Sequence, residues 1–350
     1  MVEKRMSRRE FVRDSAMAAV GIAAGLAAGK PAAGEAEKEQ YTTKILNYNE
    51  NMEYRRLGKT GLMVSAVSLG GHWKRFPGGM DLVKNRTEVT SKCIDCGINY
   101  VDACTGDEVQ TYAKAVKGRR DKIYFGYSWY EREIRFAEWR KADKLMEGFE
   151  DGLKTCGLDY VDLWRITCHE PGGMHTFNEV MEFLEALQRA KKQGKARFVG
   201  ISSHDRIWLA HVIKNFPELE VILTPYTAGS KVKPEDSLFD AVRKYDVGLF
   251  GIKPFASNSL FRGNSQPGNP AAKEDDERAR LALRYILSND AMTSPIPGLI
   301  YPFHVDNVVR AIRERRQLDL VEKRKLDGIA DEMWANLPPE YQWLKNHEWV

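Results

Sequence analysis

A single (β/α)8 (TIM) barrel is the fold the sequence predicts. Eight short apolar runs recur between residues 64 and 296, amphipathic helical stretches separate them, and 350 residues with 43% hydrophobic content suffice for one such barrel. A third observation fixes where its site lies. The run Ile98–Val101 ends in Asp102 and leads into the helical stretch Tyr112–Val116, and a strand that delivers a carboxylate at its C-terminal end is how α/β barrels build sites.

The first segment stands outside that barrel. Ser7-Arg8-Arg9-Glu10-Phe11-Val12 is a twin-arginine pattern, followed by an uncharged run from Ser15 to Gly29 rich in Ala and Gly. Residues 1–36 are therefore expected to be a twin-arginine (Tat) export signal rather than an amphipathic helix start, and any cleavage is expected near residues 28–36. The run is too short and too weakly apolar to leave a stable membrane span after processing. The Tat export machinery is the implied partner and a periplasmic or extracytoplasmic location the implied destination. Residues 37–52 are polar and read as a linker.

The barrel is expected over residues 53–320. Its strands are predicted at Val64–Leu69, Ile98–Asp102, Ile123–Tyr127, Tyr160–Ile166, Ala196–Ile201, Val221–Thr224, Gly248–Ile252 and Thr293–Ile296. Among the helices, Phe136–Cys156 carries a Leu145/Phe149/Leu153 stripe and Phe177–Gln193 carries Phe183/Leu184/Leu187, the spacing of one buried face. Residues 321–350 read as a C-terminal helix and an aromatic tail with Pro338-Pro339, Trp343 and Trp349, expected to pack over the barrel.

Composition narrows the function. A formal charge of +4, with basic and acidic residues interleaved, gives no basic patch for nucleic acid. The five cysteines are an odd number and make no complete disulfide framework. Cys93-x-x-Cys96 has no second Cys or His pair, so helix cysteines are expected there and no metal site.

Several segments taken in series resemble the aldo/keto reductase family. Tyr54-Arg55-Arg56-Leu57-Gly58-Lys59-Thr60-Gly61-Leu62, Ser68-Leu69-Gly70-Gly71, Gly97-Ile98-Asn99-Tyr100-Val101-Asp102-Ala103, Leu158-Asp159-Tyr160-Val161-Asp162-Leu163, Gly200-Ile201-Ser202-Ser203 and Ile296-Pro297-Gly298 follow in that family's order. The resemblance implies an oxidoreductase linked to NADP or NAD that acts on a small carbonyl or sugar-like molecule. It also implies a tetrad of Asp, Tyr, Lys and His at the barrel mouth, in which the Tyr phenol is the general acid.

Mapped one residue at a time, the tetrad is incomplete. Asp102 fills the aspartate position, although a carboxylate there equally suits a helix cap or a loop anchor. The segment Asp102-Ala103-Cys104-Thr105-Gly106-Asp107-Glu108 is about two residues short and has no Tyr, and Tyr112 falls in the helix. Ser128 stands at the lysine position and Thr167 at the histidine position. Because alternate residues share a strand face, His169 follows Thr167 and Tyr130 follows Ser128. Asp102, His169 and Tyr130 form one candidate acid–base set, and loop residues without a role are the other reading of His169 and Tyr130.

The resemblance also assigns cofactor positions. Ser202 and Ser203 match the pair that holds the nicotinamide carboxamide, Lys253 follows the ring-stacking position taken by Ile252, and Asn307 matches an adenine-contacting Asn. Residues 261–277 are Gly, Pro and charge rich and either fold over a pyrophosphate or form a ligand-free surface loop. The function expected is thus a reductase-like enzyme with altered acid–base residues. The alternatives are a catalytically degenerate barrel that binds or scaffolds, and a non-redox enzyme that reuses the barrel mouth.

Overall fold

The computed structural model describes residues 45–71, 76, 78–168, 175–235, 237–264 and 266–347. The expected export signal, the first part of the linker and His169 lie outside the described residues.

Two short strands, β1 (Tyr54–Arg56) and β2 (Met63–Ser65), pair antiparallel as a hairpin with Tyr54 opposite Ser65. The turn between them needs Gly61, whose φ of 70° is left-handed. Leu57, Leu62 and Val64 from this hairpin join Tyr100, Tyr124, Leu163, Val221, Leu223 and Phe250 in one buried cluster. The hairpin therefore plugs the end of the barrel opposite the strand C-termini, and its apolar residues complete the inner core.

Eight parallel strands then follow in chain order: β3 (Leu69–Gly70), β4 (Tyr100–Ala103), β5 (Tyr124–Tyr127), β6 (Val161–Thr167), β7 (Ala196–Ser202), β8 (Val221–Pro225), β9 (Gly248–Ile252) and β10 (Ser294–Ile296). Closure comes from the amides of Ser68 and Gly70, which donate to the carbonyls of Pro295 (3.0 Å) and Pro297 (2.8 Å). The sheet is thus a barrel without open edges. The expected strand Val64–Leu69 is corrected to two pieces. The Ser65 hydroxyl donates to the carbonyl of Val67 at 2.8 Å, and this bend splits the segment into the end of β2 and the start of β3.

Helices wrap the outside: α1 (Leu82–Asp95), α2 (Gly106–Ala115), α3 (Ala142–Cys156), α4 (Phe177–Lys192), α5 (Arg206–Asn215), α6 (Leu238–Tyr245), α7 (Ala272–Leu287) and α8 (Pro302–Arg313), with α9 (Leu320–Ala335) after the barrel. The predicted stripes of α3 and α4 are buried, and Phe149 stacks on Trp164 of β6 with ring centroids 4.0 Å apart. α3 begins at Ala142 and not at Phe136, because residues 130–139 form two short 3-10 turns. A capping box of Thr176 and Glu179 starts α4, satisfying amides that would otherwise face the solvent unpaired.

Beyond α9, short 3-10 turns over Pro339–His347 carry the chain back across the barrel mouth. Tyr341 and Leu344 are buried there, and the Trp343 ring stacks on His204 at 4.1 Å and 12°. Among the described residues, no helix is long and apolar enough to cross a membrane and no cluster of three His, Cys, Asp or Glu is placed to hold a metal. Cys93 is buried and Cys96 half-buried; burial raises both thiol pKa values, which keeps them out of the reactive thiolate range.

Candidate active site

Strand alternation decides which side chains reach the barrel mouth. On β4, Tyr100 and Asp102 face inward; on β6, Arg165 and Thr167 do. Tyr100 lies one layer below Asp102, stacked on Phe250 at 4.4 Å, and its hydroxyl donates to Asp102 Oδ1 at 3.2 Å. Burial and the neighbouring Asp102 hold this phenol protonated, well above its usual pKa. Gly126 on β5 is required beside them, since a Cβ there would lie 2.0 Å from the Tyr100 hydroxyl.

Asp102 is held by a residue the sequence reading did not select. Arg165 donates from Nη2 to Oδ2 at 2.5 Å and from Nε to Oδ1 at 3.2 Å, a two-pronged ion pair with both partners buried. Burial works against the guanidinium charge, yet Asp102 outweighs it and holds Arg165 firmly protonated. The alternative of a helix-capping Asp102 is answered by Thr105, whose hydroxyl accepts the Glu108 amide at the start of α2. Arg165 Nη1 also donates to Thr167 Oγ1 at 2.7 Å.

The two other departures join the same network. Ser128 and Thr167 hydroxyls lie 2.8 Å apart, and Ser128 donates to Glu133 Oε2 at 2.7 Å. Glu133 is buried and also accepts the amides of Thr167 (2.7 Å) and Trp129 (3.1 Å) and the Trp164 indole N–H (3.3 Å). Burial raises its pKa, while the Thr167 amide and the Ser128 hydroxyl pull the other way. The small hydroxyl side chains of Ser128 and Thr167 thus leave room for a guanidinium that rises from one layer deeper. The signal in the sequence was an Arg flanked by apolar residues in mid-strand, Leu163-Trp164-Arg165-Ile166, because a buried Arg requires a buried partner.

Above the pair, a cavity of about 120 Å³ opens at the strand C-terminal ends. Asp102, Cys104, Glu108, Arg165, Thr167 and Ser202 line it, with Lys253, Ser257 and Asn258 on one side and Tyr341 of the tail above. Glu108 is buried; its Oε2 accepts the Cys104 amide at 2.8 Å and lies so close to Gly71 that a Cβ there would come within 2.2 Å of it. The Cys104 thiol is pushed up to about 11, first by burial, and is a poor nucleophile.

Of the residues predicted for the site, Asp102, Ser202 and Lys253 line this cavity. Ser203 does not: its hydroxyl accepts the Asp205 amide at 3.1 Å in the turn before α5. Tyr130 is half-buried outside the cavity, its ring stacked near Phe136 and covered by the Arg135 guanidinium at 4.7 Å. The geometry therefore does not bring Tyr130 to Asp102. Glu108 and Arg165 were missed.

A second cavity adjoins the first through Phe255, Asn258, Gly298 and Ile300. Between them runs a turn in which Ala256, Ser257 and Asn258 have φ values of 45°, 56° and 71°. Three successive non-glycine residues in the left-handed region cost on the order of 1–3 kcal/mol each, a strain that clusters at ligand sites. Asn307 lines the second cavity, with Oδ1 accepting from Arg280 (2.7 Å) and Nδ2 donating to the Asp276 carbonyl (3.0 Å).

His304 in this cavity accepts the amides of Ile300 and Tyr301 on Nδ1, at 3.3 and 3.4 Å. Burial and the nearby Arg86 push its pKa down to about 4. Between an unfolded value of about 6.5 and that folded value, the unfolded chain binds the extra proton, so stability falls as pH drops through this window, by up to about 3 kcal/mol. Melting temperatures from pH 7 to 4 should show this loss, and a His304→Asn variant should show a shallower one.

Comparison with known proteins finds relatives of this barrel. The family model described as "Aldo/keto reductase family" matches residues 69–331. L-galactose dehydrogenase of Arabidopsis thaliana is 24% identical over 320 residues, covering 85% of this chain and 97% of that protein. L-glyceraldehyde 3-phosphate reductase of Escherichia coli K12 is 22% identical over 335 residues, covering 79% and 93%. Among solved structures, an aldo-keto reductase from Klebsiella pneumoniae in complex with NADPH superposes with a TM-score of 0.62 at 18% identity, over 83% of this chain and 96% of that one. The holo form of an aldo-keto reductase from Bacillus halodurans gives 0.60 at 23% identity, over 79% and 96%.

Proposed function

The chain belongs to the aldo/keto reductase family, and we propose that it is an exported NAD(P)-linked oxidoreductase that interconverts a hydroxyl and a carbonyl on a small sugar-like molecule, with a rebuilt acid–base set. The observation that carries this reading is a single groove. It begins where Glu108, Arg165 and Ser202 converge, passes the left-handed turn Ala256–Asn258 and ends in the second cavity. That shape suits an extended dinucleotide: Ser202 lies where a carboxamide would be held, and the amides of a strained turn suit a pyrophosphate.

A nicotinamide nucleotide in the groove supplies or accepts the hydride. The chain's own residues manage the proton and the charge. Glu108 takes the hydroxyl proton when substrate is oxidised and returns it when a carbonyl is reduced. Arg165, fixed by Asp102 and Thr167, places a preorganised positive charge where the substrate oxygen develops negative charge. Asp102 is a positioning residue here. A sugar-like substrate is supported by the relative named L-galactose dehydrogenase, and nucleotide use by neighbours solved with NADP and NADPH.

The seated tail bears on the export reading. The tail that carries Tyr341 and Trp343 roofs a cavity of about 120 Å³ at the barrel mouth. Closed over a bound nucleotide, it would retain it after Tat export to a compartment without a nicotinamide pool. The second reading, a binding barrel that has lost hydride transfer, is favoured by the Ser128 and Thr167 replacements. Fluorescence titration of the purified chain with NADH and NADPH tests the proposal: saturable binding of either is expected, and absence of binding at millimolar concentrations of both would overturn it.

A further inference from the structure

The second cavity carries a specificity that the family resemblance does not supply. Its walls are apolar and flat at Phe261, Leu299 and Phe303, which suits an aromatic base. Its charged lining, among the described residues, consists of Asp275 and Asp276. The carboxylate of Asp275 is already occupied by the amides of Arg262 (2.8 Å) and Gly263 (2.9 Å) and by Asn269 Nδ2 (3.1 Å). That of Asp276 is held by no hydrogen bond among the described residues and is half-buried at the cavity wall.

Among the described residues, four arginines around this cavity have other partners. Arg280 bonds Asn307 Oδ1 and pairs with Glu314 at 3.0 Å. Arg262 pairs with Glu274 and Glu332. Arg86 donates to Asn85 and to the carbonyls of Leu299 and Ile300. Arg280 and, more weakly, Arg310 reach Asp276 only through their fields, and Arg310 is exposed and pairs with Glu314. His304, whose pKa burial and the nearby Arg86 hold down at about 4, brings no positive charge at neutral pH.

A phosphate monoester brings close to two negative charges and needs Arg or Lys donors. A ribose 2′-hydroxyl is recognised by a carboxylate that accepts its hydrogen bond. Resting on the nucleotide-binding reading above, we infer that this cavity receives an adenosine whose 2′ position is a hydroxyl, so that the chain selects NAD(H) over NADP(H), with Asp276 as the specificity-determining residue.

The test is equilibrium binding of NADH and NADPH to the full chain and to Asp276→Ser and Asp276→Arg variants, read by nicotinamide fluorescence, with melting temperature as a folding control. NADH should bind at least about tenfold more tightly than NADPH to the unaltered chain. The preference should shrink in Asp276→Ser and reverse in Asp276→Arg, mainly through tighter NADPH. NADPH binding as well as or better than NADH, or a preference unchanged in both variants, would overturn the inference while leaving the oxidoreductase reading intact. Failure of both nucleotides to bind would overturn the two together.

Discussion

Replacing Arg165 by Met should lower the melting midpoint by roughly 10 °C, equivalent to the loss of about 3–5 kcal/mol that follows when one member of a buried ion pair is removed. The cause is Asp102. With Arg165 gone, its carboxylate keeps the Tyr100 hydroxyl as partner but is left buried without a counter-charge. Asp102→Leu strands the guanidinium in the same way. The double variant Asp102→Leu/Arg165→Met removes both charges together, and replacing a buried pair by apolar residues of similar volume is often close to neutral. The double variant should therefore be markedly more stable than the sum of the two single losses. Additive losses would contradict the pairing and return Asp102 to the role of a loop anchor.

Glu108→Gln should reduce turnover by about 10²–10⁴, the usual contribution of a positioned general acid or base, without changing nucleotide affinity. The amide keeps the shape of the carboxylate and still accepts the Cys104 N–H through its carbonyl oxygen, so the start of α2 stays in place. It carries no proton to exchange. For alcohol oxidation, the limb of the rate profile that rises with pH should disappear in Glu108→Gln, because that limb reports deprotonation of the base. A variant with normal turnover and an unchanged profile would remove Glu108 from the chemistry.

These two predictions rest on residues of unequal visibility. Asp102 was legible because the end of a strand in a parallel barrel is a defined place, and the apolar run before it is short and clean. Seven strands were legible for the same reason. The first was misplaced because Val64 to Leu69 alternates small and apolar residues as one strand would, and hydropathy does not register the bend at Ser65. The short turns over 130–139 shortened α3 because Glu133 gathers four donors, all from outside those turns, at Ser128, Trp129, Trp164 and Thr167. Arg165 was missed because its meaning depends on a partner 63 residues away. Tyr130 was selected by period alone, and period does not see the short turn that directs its ring toward Phe136 and Arg135.

The family resemblance set the question and the geometry altered it. Reading the expected positions alone, Ser128 and Thr167 are losses. In the barrel they are hydroxyls beside Arg165, the cation on β6 that pairs with Asp102. Glu108, one turn along α2 from the shortened loop, places a carboxyl group in the cavity whose Tyr is absent.

The most direct test of this rebuilt site is a single-turnover measurement. The full chain is loaded with NAD or NADP and mixed with a panel of aldoses and sugar alcohols while reduced nicotinamide absorbance is followed. Formation of reduced nucleotide by the unaltered chain, suppressed in Glu108→Gln at equal nucleotide occupancy, is the predicted result. Nucleotide that binds but is never reduced by any of these substrates, and never oxidised by the corresponding carbonyls, would contradict it.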